Sequence, residues 1–370
     1  MSALGAAVTL GELEADPHPV LARLREQEPV AWIPVLGAWL VTSRELALHV
    51  MRDAVTFTVD DPRFSTGQLV GPSMLTRDGE EHARHRAPFA ESLRLAAVRE
   101  RFSPVVAAET DALIDRFEAD GRAELRRGLA GPLAARVVAR LLGLESTETA
   151  AMLGWYDAIV ASVDGITAGG EPSVAGAEAF ERLRATVGPA LGVVGELSPD
   201  EAVSNAAVMM FGGIETTEGM IANLVFHLLA YHEGELDPSA LPNAMEESLR
   251  LEPAAAVVDR YATDDVELAG AEIARGDLVT VSIAGANRDP LFFPDPDRFD
   301  IRRENARHHI AFAHGPHVCV GMHLARLEAL TAARRLFERL PGLRLDPDRP
   351  TAPRGLVFRK PPTLDVLWRG

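Results

Sequence analysis

Two stretches of this chain hold residues whose types and spacing could do chemistry. The first runs Phe-Ala-His-Gly-Pro-His-Val-Cys-Val-Gly from Phe312 to Gly321 and contains the only cysteine, Cys319. Beyond it apolar residues return at three- and four-residue steps from Val320 to Leu340 (Val320, Leu324, Leu327, Leu330, Ala333, Phe337, Leu340), the period of an amphipathic helix. That period puts Cys319 at a helix start, where unpaired N–H groups and the positive dipole end favour a thiolate over a thiol. A soft anionic sulfur in a glycine-containing loop suits iron. A lone cysteine is more often a small buried hydrophobe, so its neighbours have to decide between the two.

The second stretch begins at Ser198-Pro199-Asp200-Glu201, which reads as a capping box with proline in the first turn. The run from Ala202 to Tyr231 is nearly all apolar and reads as one long helix, but its middle carries Gly212, Gly213, Glu215, Thr216 and Glu218. Those residues make it too polar for a membrane span. Each interior glycine costs about 1 kcal/mol relative to alanine. The pair reads either as an ordinary kink in a core helix or as a place where something flat approaches the backbone. A Thr216 hydroxyl bonding back to a carbonyl would open a groove there.

Other elements must position these two stretches. Pro17 to Glu28 has helical spacing, Val30 to Pro34 and Ala38 to Thr42 form a hairpin around Gly37, and Ser43 caps a helix reaching Met51. Thr58 to Pro72 lacks periodicity and reads as a loop. His82 and Arg86 share one helical face in the charged run from Asp78 to Arg86, which by itself is as well explained as a solvated face. Val105 to Ala119, Pro132 to Leu142 and Glu148 to Val163 read as helices, Gly165 to Gly176 as a break, and Gly176 to Val194 as another helix. Glu247 and Arg250 lie three apart and can pair. Val266 to Leu268, Leu278 to Ile283 and Leu364 to Leu367 read as short strands.

With 37 Lys+Arg against 54 Asp+Glu the net charge of −17 argues against nucleic acid or an anionic membrane as partner. One cysteine excludes an internal disulfide framework and fits a reducing compartment. No basic residue or long apolar run marks the first ten positions, so a cytoplasmic, monomeric protein with neither signal peptide nor membrane anchor is expected. Without linkers or repeats, residues 1–370 are expected to form one domain.

The pattern Phe-x-x-Gly-x-His-x-Cys-x-Gly, met at Phe312, Gly315, His317, Cys319 and Gly321, resembles the haem-ligand loop of the cytochrome P-450 family. Ala313 departs from it, since bacterial members usually carry glycine there, and alanine would be strained if the position needs positive φ. Gly-Gly-Ile-Glu-Thr-Thr from Gly212 resembles the family's oxygen-binding segment. The resemblance spans about residues 17 to 367 with its motifs in the family's order. It implies a mainly α cytochrome P-450 fold with a small β-sheet region and haem b between the Ala202 and Val320 helices. Cys319 would be the iron ligand, on which a thiolate favours O–O cleavage. Thr216 and Glu215 would be catalytic, relaying protons to the oxygen being reduced. His82, Arg86, Arg260, His317, Phe312 and Gly213 would bind the cofactor. Glu247, Arg250 and Arg298 would form a structural trio beneath it. The short segments between Val194 and Ser198 and between Tyr231 and Leu241 imply trimmed helices, and the middle of the chain would supply a mobile roof.

The resemblance further implies monooxygenation of an apolar organic substrate, of secondary-metabolite or xenobiotic type, by O2. A wall of Ala254, Ala255, Ala256, Val257, Val357 and Phe358 would face that substrate. Electrons would come from an external ferredoxin or flavodoxin, steered by Arg77, Arg84, His85, Arg303, Arg307, His308, His309, Arg326 and Arg334. Desaturation, ring closure or coupling without oxygen insertion is the alternative reaction, and a haem sensor or carrier the alternative to an enzyme.

Overall fold

The computed structural model describes residues 3–167, 170–191, 194–232 and 236–368. Its axis is the helix Pro199–Tyr231, opened by the expected capping box: the Glu201 N–H donates to Ser198 Oγ at 3.3 Å and the Ser198 N–H to Glu201 Oε2 at 2.8 Å. Apolar on every side, this helix is buried on every side. Around it pack helices Gly131–Leu142, Leu241–Leu251 and Met322–Arg339 and the antiparallel pair Thr149–Thr167 and Val174–Leu191. Together they form the largest apolar core, which includes Phe102, Leu133, Ile214, Leu224 and Leu336.

A five-stranded sheet flanks this core in the order Val30–Ile33, Ala38–Val41, Leu278–Ser282, Val257–Ala262, Phe57–Thr58. Its first two strands are the hairpin read from the sequence, with Val30 opposite Val41. Two further small sheets are formed by Arg122–Glu124, Asp365–Leu367 and Arg344–Leu345, and by Val266–Leu268 with Ala271–Ile273. No helix among the described residues is long and apolar enough to cross a membrane.

Several expected boundaries move. The stretch from Thr58 to Pro72 contains a helical turn and a half, Ser65–Val70, too short to show a period in the sequence. The helix expected from Val105 begins at Leu95 and ends at Ile114, because Pro104 sits on its exposed face and is accommodated instead of starting it. The helix after the cysteine begins at Met322 behind an N-cap at Gly321, leaving Cys319 outside it. Of the segments expected to be short, residues 194–198 form a turn. In the other, 236–240 hold only the turn Pro238–Ala240, and 233–235 lie outside the described residues.

Candidate active site

The loop carrying Cys319 is fastened from several sides. The Cys319 N–H donates to the Phe312 carbonyl at 2.9 Å, and Arg86 Nη2 donates to the Val318 carbonyl at 2.7 Å. His317 Nε2 donates to Asp78 Oδ1 at 2.7 Å. Asp78 also accepts from Thr58 Oγ1 and the Val59 N–H. Burial would raise the Asp78 carboxyl, but these three donors outweigh it and hold the group down at about 2. At Gly315 φ is +75° and a Cβ would stand 2.3 Å from the Met51 carbonyl oxygen, so only glycine lets the loop lie on helix Arg44–Arg52. Ala313 does adopt positive φ, +59°.

Cys319 faces a cavity of about 260 Å³ whose walls include Phe312, Arg86, Gly212, Gly213 and Thr216. The side chain has free surface, yet dense protein around it raises the thiol's pKa, because the free surface opens on the cavity and not on bulk water. The Gly321 N–H, Arg86, Arg326 and the Met322 N–H pull the other way and are outweighed. The helix-start argument for a thiolate therefore has to be corrected. The donors it invoked are present, but burial dominates, and a nearby cation has to supply the difference.

Across the cavity, Thr216 Oγ1 donates to the Gly212 carbonyl at 2.6 Å, the back-bond expected from sequence. The two glycines differ. A Cβ on Gly212 would meet open space, whereas one on Gly213 would stand 2.7 Å from Val138 Cγ2. Close packing with helix Gly131–Leu142 accounts for Gly213, and the bare flank on the cavity is Gly212.

Glu215 and Thr216 part company in the structure. Glu215 points away from Cys319, pairs with Lys360 at 2.6 Å and borders a second cavity of about 430 Å³. Lys360 also holds the buried Glu218 at 2.6 Å. The expected substrate wall divides in the same way: Ala254 and Ala255 line the Cys319 cavity, and Ala256, Val257, Val357 and Phe358 line the second. The buried acid on the Cys319 cavity is Glu328, whose carboxyl is raised well above the usual range by burial and whose Oε2 has no partner.

The residues present fit a haem. Arg86 and Arg260 form no ion pair among the described residues, although Arg260 is almost fully buried and donates only to the Asp259 carbonyl at 2.7 Å. Buried His82, its ring 4.4 Å from that of His317, has Nε2 unpartnered and is pushed down to about 4 by burial and by its cationic neighbours. Unpaired guanidinium groups and an orphaned imidazole nitrogen beside an apolar cavity call for an anionic ligand with a flat apolar body.

The structural trio and the basic surface need correction. Glu247 accepts from Arg250 Nε at 2.7 Å and Nη2 at 2.9 Å, and its third partner is Arg303, whose Nε donates at 2.9 Å. The Arg298 side chain is exposed, and that residue contributes only its carbonyl, to Arg250 and Arg303. Buried Arg303 therefore leaves the proposed patch. So do His309, buried against Glu246, and His85, fully buried beside Asn205. Arg84, Arg77 and Arg326 are tied to Glu81 and Glu201, to Asp60 and to Glu246 respectively. Arg307, His308 and Arg334 remain exposed. Sequence reasoning assigned cofactor binding to Gly213 of the glycine pair, and it missed Glu328 and Lys360. The last had a signal, being the chain's one lysine.

Comparison with known proteins identifies the family. The family model of cytochrome P-450 matches residues 240–365. The chain is 35% identical to the cytochrome P-450 monooxygenase PikC of Streptomyces venezuelae, over 97% of this chain and 92% of that one. It is 31% identical to 6-deoxyerythronolide B hydroxylase of Saccharopolyspora erythraea, over 98% and 95%. Among solved structures it superposes on CalO2 with a TM-score of 0.86 at 30% identity, covering 97% of this chain and 98% of that one. P450BioI, solved in complex with an acyl carrier protein ligated to hexadec-9Z-enoic acid, gives 0.87 at 26% identity, covering 97% and 100%. This chain belongs to the cytochrome P-450 family and is a monooxygenase whose cofactor is haem b.

Proposed function

We propose that this enzyme oxidises an apolar organic molecule of secondary metabolism, with Cys319 as the thiolate ligand of its haem. The observation that carries the reading is the convergence of Cys319, the bare flank of Gly212 and the Thr216 hydroxyl on one apolar cavity, with unpaired cationic groups at its side. Arg86, Arg260 and His82 would hold the propionates, His317 would keep the loop in place through Asp78, and Phe312 would pack on the ring. When bound, the haem supplies O2 activation, with one oxygen atom entering the substrate and the other leaving as water. Thr216 has its hydroxyl proton committed to Gly212, so its oxygen presents lone pairs to the cavity and can accept a hydrogen bond from a water, holding that water as the proton-carrying link of a relay. Glu215 can join that relay only by leaving Lys360, so its resting part is to anchor the helix.

Electrons would arrive from a small acidic ferredoxin or flavodoxin. Besides Arg307, His308 and Arg334, which stay exposed, the surface beside the cysteine loop carries exposed Arg52, near His314, and exposed Arg99, near His323. Such a patch steers an anionic partner even on an acidic protein.

The test is the absorption of the reduced, carbon-monoxide-treated holoprotein. A thiolate-type band is expected for the parent and its loss for Cys319→Ser. A band that survives the substitution refutes the assignment of Cys319.

A further inference from the structure

The second cavity contains a carboxylate, that of Asp259, with no ion-pair partner among the described residues. Strand Val257–Ala262 is a shared wall: Val258 faces the Cys319 cavity, while Val257 and Asp259 face the other. Asp259 Oδ1 accepts from Thr280 Oγ1, directly across the ladder, at 2.7 Å. No lysine, arginine or histidine nitrogen lies within ion-pairing distance of it among the described residues. Part of its surface is free, yet it is surrounded by protein, so, as with Cys319, that surface belongs to the cavity.

None of the neighbouring cations is paired with the Asp259 carboxylate. Arg260, next in the strand, places Nη1 on the Asp259 main-chain carbonyl. Arg359, which also borders the cavity, gives Nε to Glu252 and its remaining donors to the carbonyls of Leu13, Glu14, Gly355 and Pro353. Lys360 is held between Glu215 and Glu218. At about 430 Å³ the cavity is of ligand size, and its other walls are largely aliphatic. A carboxylate in such surroundings is costly to keep charged unless a cation accompanies it. Burial raises the Asp259 carboxyl, while Thr280 and the charge of Arg260 oppose that rise.

We propose that Asp259 is the specificity-determining residue for the oxidation, and that the substrate carries an amine, protonated when bound, on the part remote from the carbon oxidised. Thr280 fixes one carboxylate oxygen and leaves the other for the ammonium group, while the apolar body extends along Leu36, Val257 and Phe358 toward the shared wall. This rests on the monooxygenase reading and narrows its substrate class.

The test uses the ferric holoenzyme and three probes of one chain length: decyltrimethylammonium, 1-decanol and decanoate. The quaternary ammonium group cannot ligate iron. Calorimetric titration of the parent is expected to show the cation bound at least tenfold more tightly than the alcohol, and the carboxylate least tightly. In Asp259→Asn the cation's advantage should shrink to within about twofold, with 1-decanol affinity retained. Equal affinity for all three probes in the parent overturns the proposal without any variant, so a substitution that failed to fold would not shield it. A cation preference that survives in the Asn variant assigns recognition to Glu14 or Glu215 and overturns the role of Asp259. The thiolate-type carbon-monoxide band of the same samples separates this outcome from failure of the monooxygenase reading, since its absence would strike only the latter.

Discussion

The segment beneath the Cys319 cavity and the helical pair Thr149–Thr167 and Val174–Leu191 are held by different forces. Beneath the cavity, buried charges do the holding: Glu247 with Arg250 and Arg303, Glu246 with His309 and Arg326, Asp78 with His317. The helical pair buries Met152, Tyr156, Ile159, Phe180, Leu183 and Val187 in the main apolar core, and ion pairs within its second helix, Arg182 with Glu178 and Arg184 with Glu181, are exposed. A buried ion pair is directional, because its desolvation cost is recovered only in a narrow geometry. An apolar interface is not directional and lets helices shift against each other at little cost. On the proposed function, the sulfur that would hold the haem iron has the first kind of support, and the helical pair, whose Val160 and Thr167 border the second cavity, has the second.

The sharpest way to break this contrast is to remove charges on both sides. Glu247→Ala strands two buried guanidinium groups and is expected to cost about 3–5 kcal/mol. Arg303→Ala should cost a comparable amount, since it also frees the carbonyls of Pro294 and Asp295. Arg298→Ala and, in the helical pair, Arg182→Ala should each stay within about 0.5 kcal/mol, as exposed groups do. Urea unfolding of the four holoproteins followed by circular dichroism decides it. An Arg298 variant as damaged as the Arg303 variant would show that the third arm of the trio is misassigned.

That correction marks where the sequence stopped being legible. Spacing paired Glu247 with Arg250, because helical geometry alone makes residues three apart neighbours. Nothing local distinguishes Arg298 from Arg303, five residues on in an irregular stretch, and only the path of the chain decides which one turns inward. The same holds for Gly212 and Gly213: a glycine pair is visible in the sequence, but which member meets Val138 depends on the rotation of the helix. Caps and the Val30–Val41 hairpin were legible because their signals are local. Lys360 and Glu215 are 145 positions apart, and the ion pair that turns Glu215 away from Thr216 had no local trace.

Acid should loosen the charged segment. Glu252 is held down at about 2: burial would raise it, but His18 and Arg359 outweigh burial. Glu246 lies at about 2 through His309 and Arg326 against the same opposing burial. A carboxyl depressed on folding contributes stability that is fully present above its unfolded value, near 4.5, and is lost as pH falls toward 2. For Glu252 that amounts to about 3 kcal/mol. Burial pushes His227 down to about 3, so its contribution already begins to fade below about 6.5. The unfolding free energy should therefore decline gently from pH 6.5 and steeply below 4.5. Glu252→Gln should start lower at pH 7 and run shallower below 4.5. An unchanged steep limb in that variant would remove Glu252 from the account.

The smallest effect concerns backbone strain in the loop itself. Ala313 sits at φ +59°, where a Cβ costs about 1 kcal/mol relative to glycine. Its methyl also packs against the apolar cluster around Val50, Met51 and Ile310, which returns part of that cost. Ala313→Gly should thus gain about 0.5–1 kcal/mol in urea unfolding, with the thiolate-type band unshifted. A loss of stability would mean that the methyl contact outweighs the strain, and that even here, among buried charges, the loop is held by the same apolar packing as the helical pair.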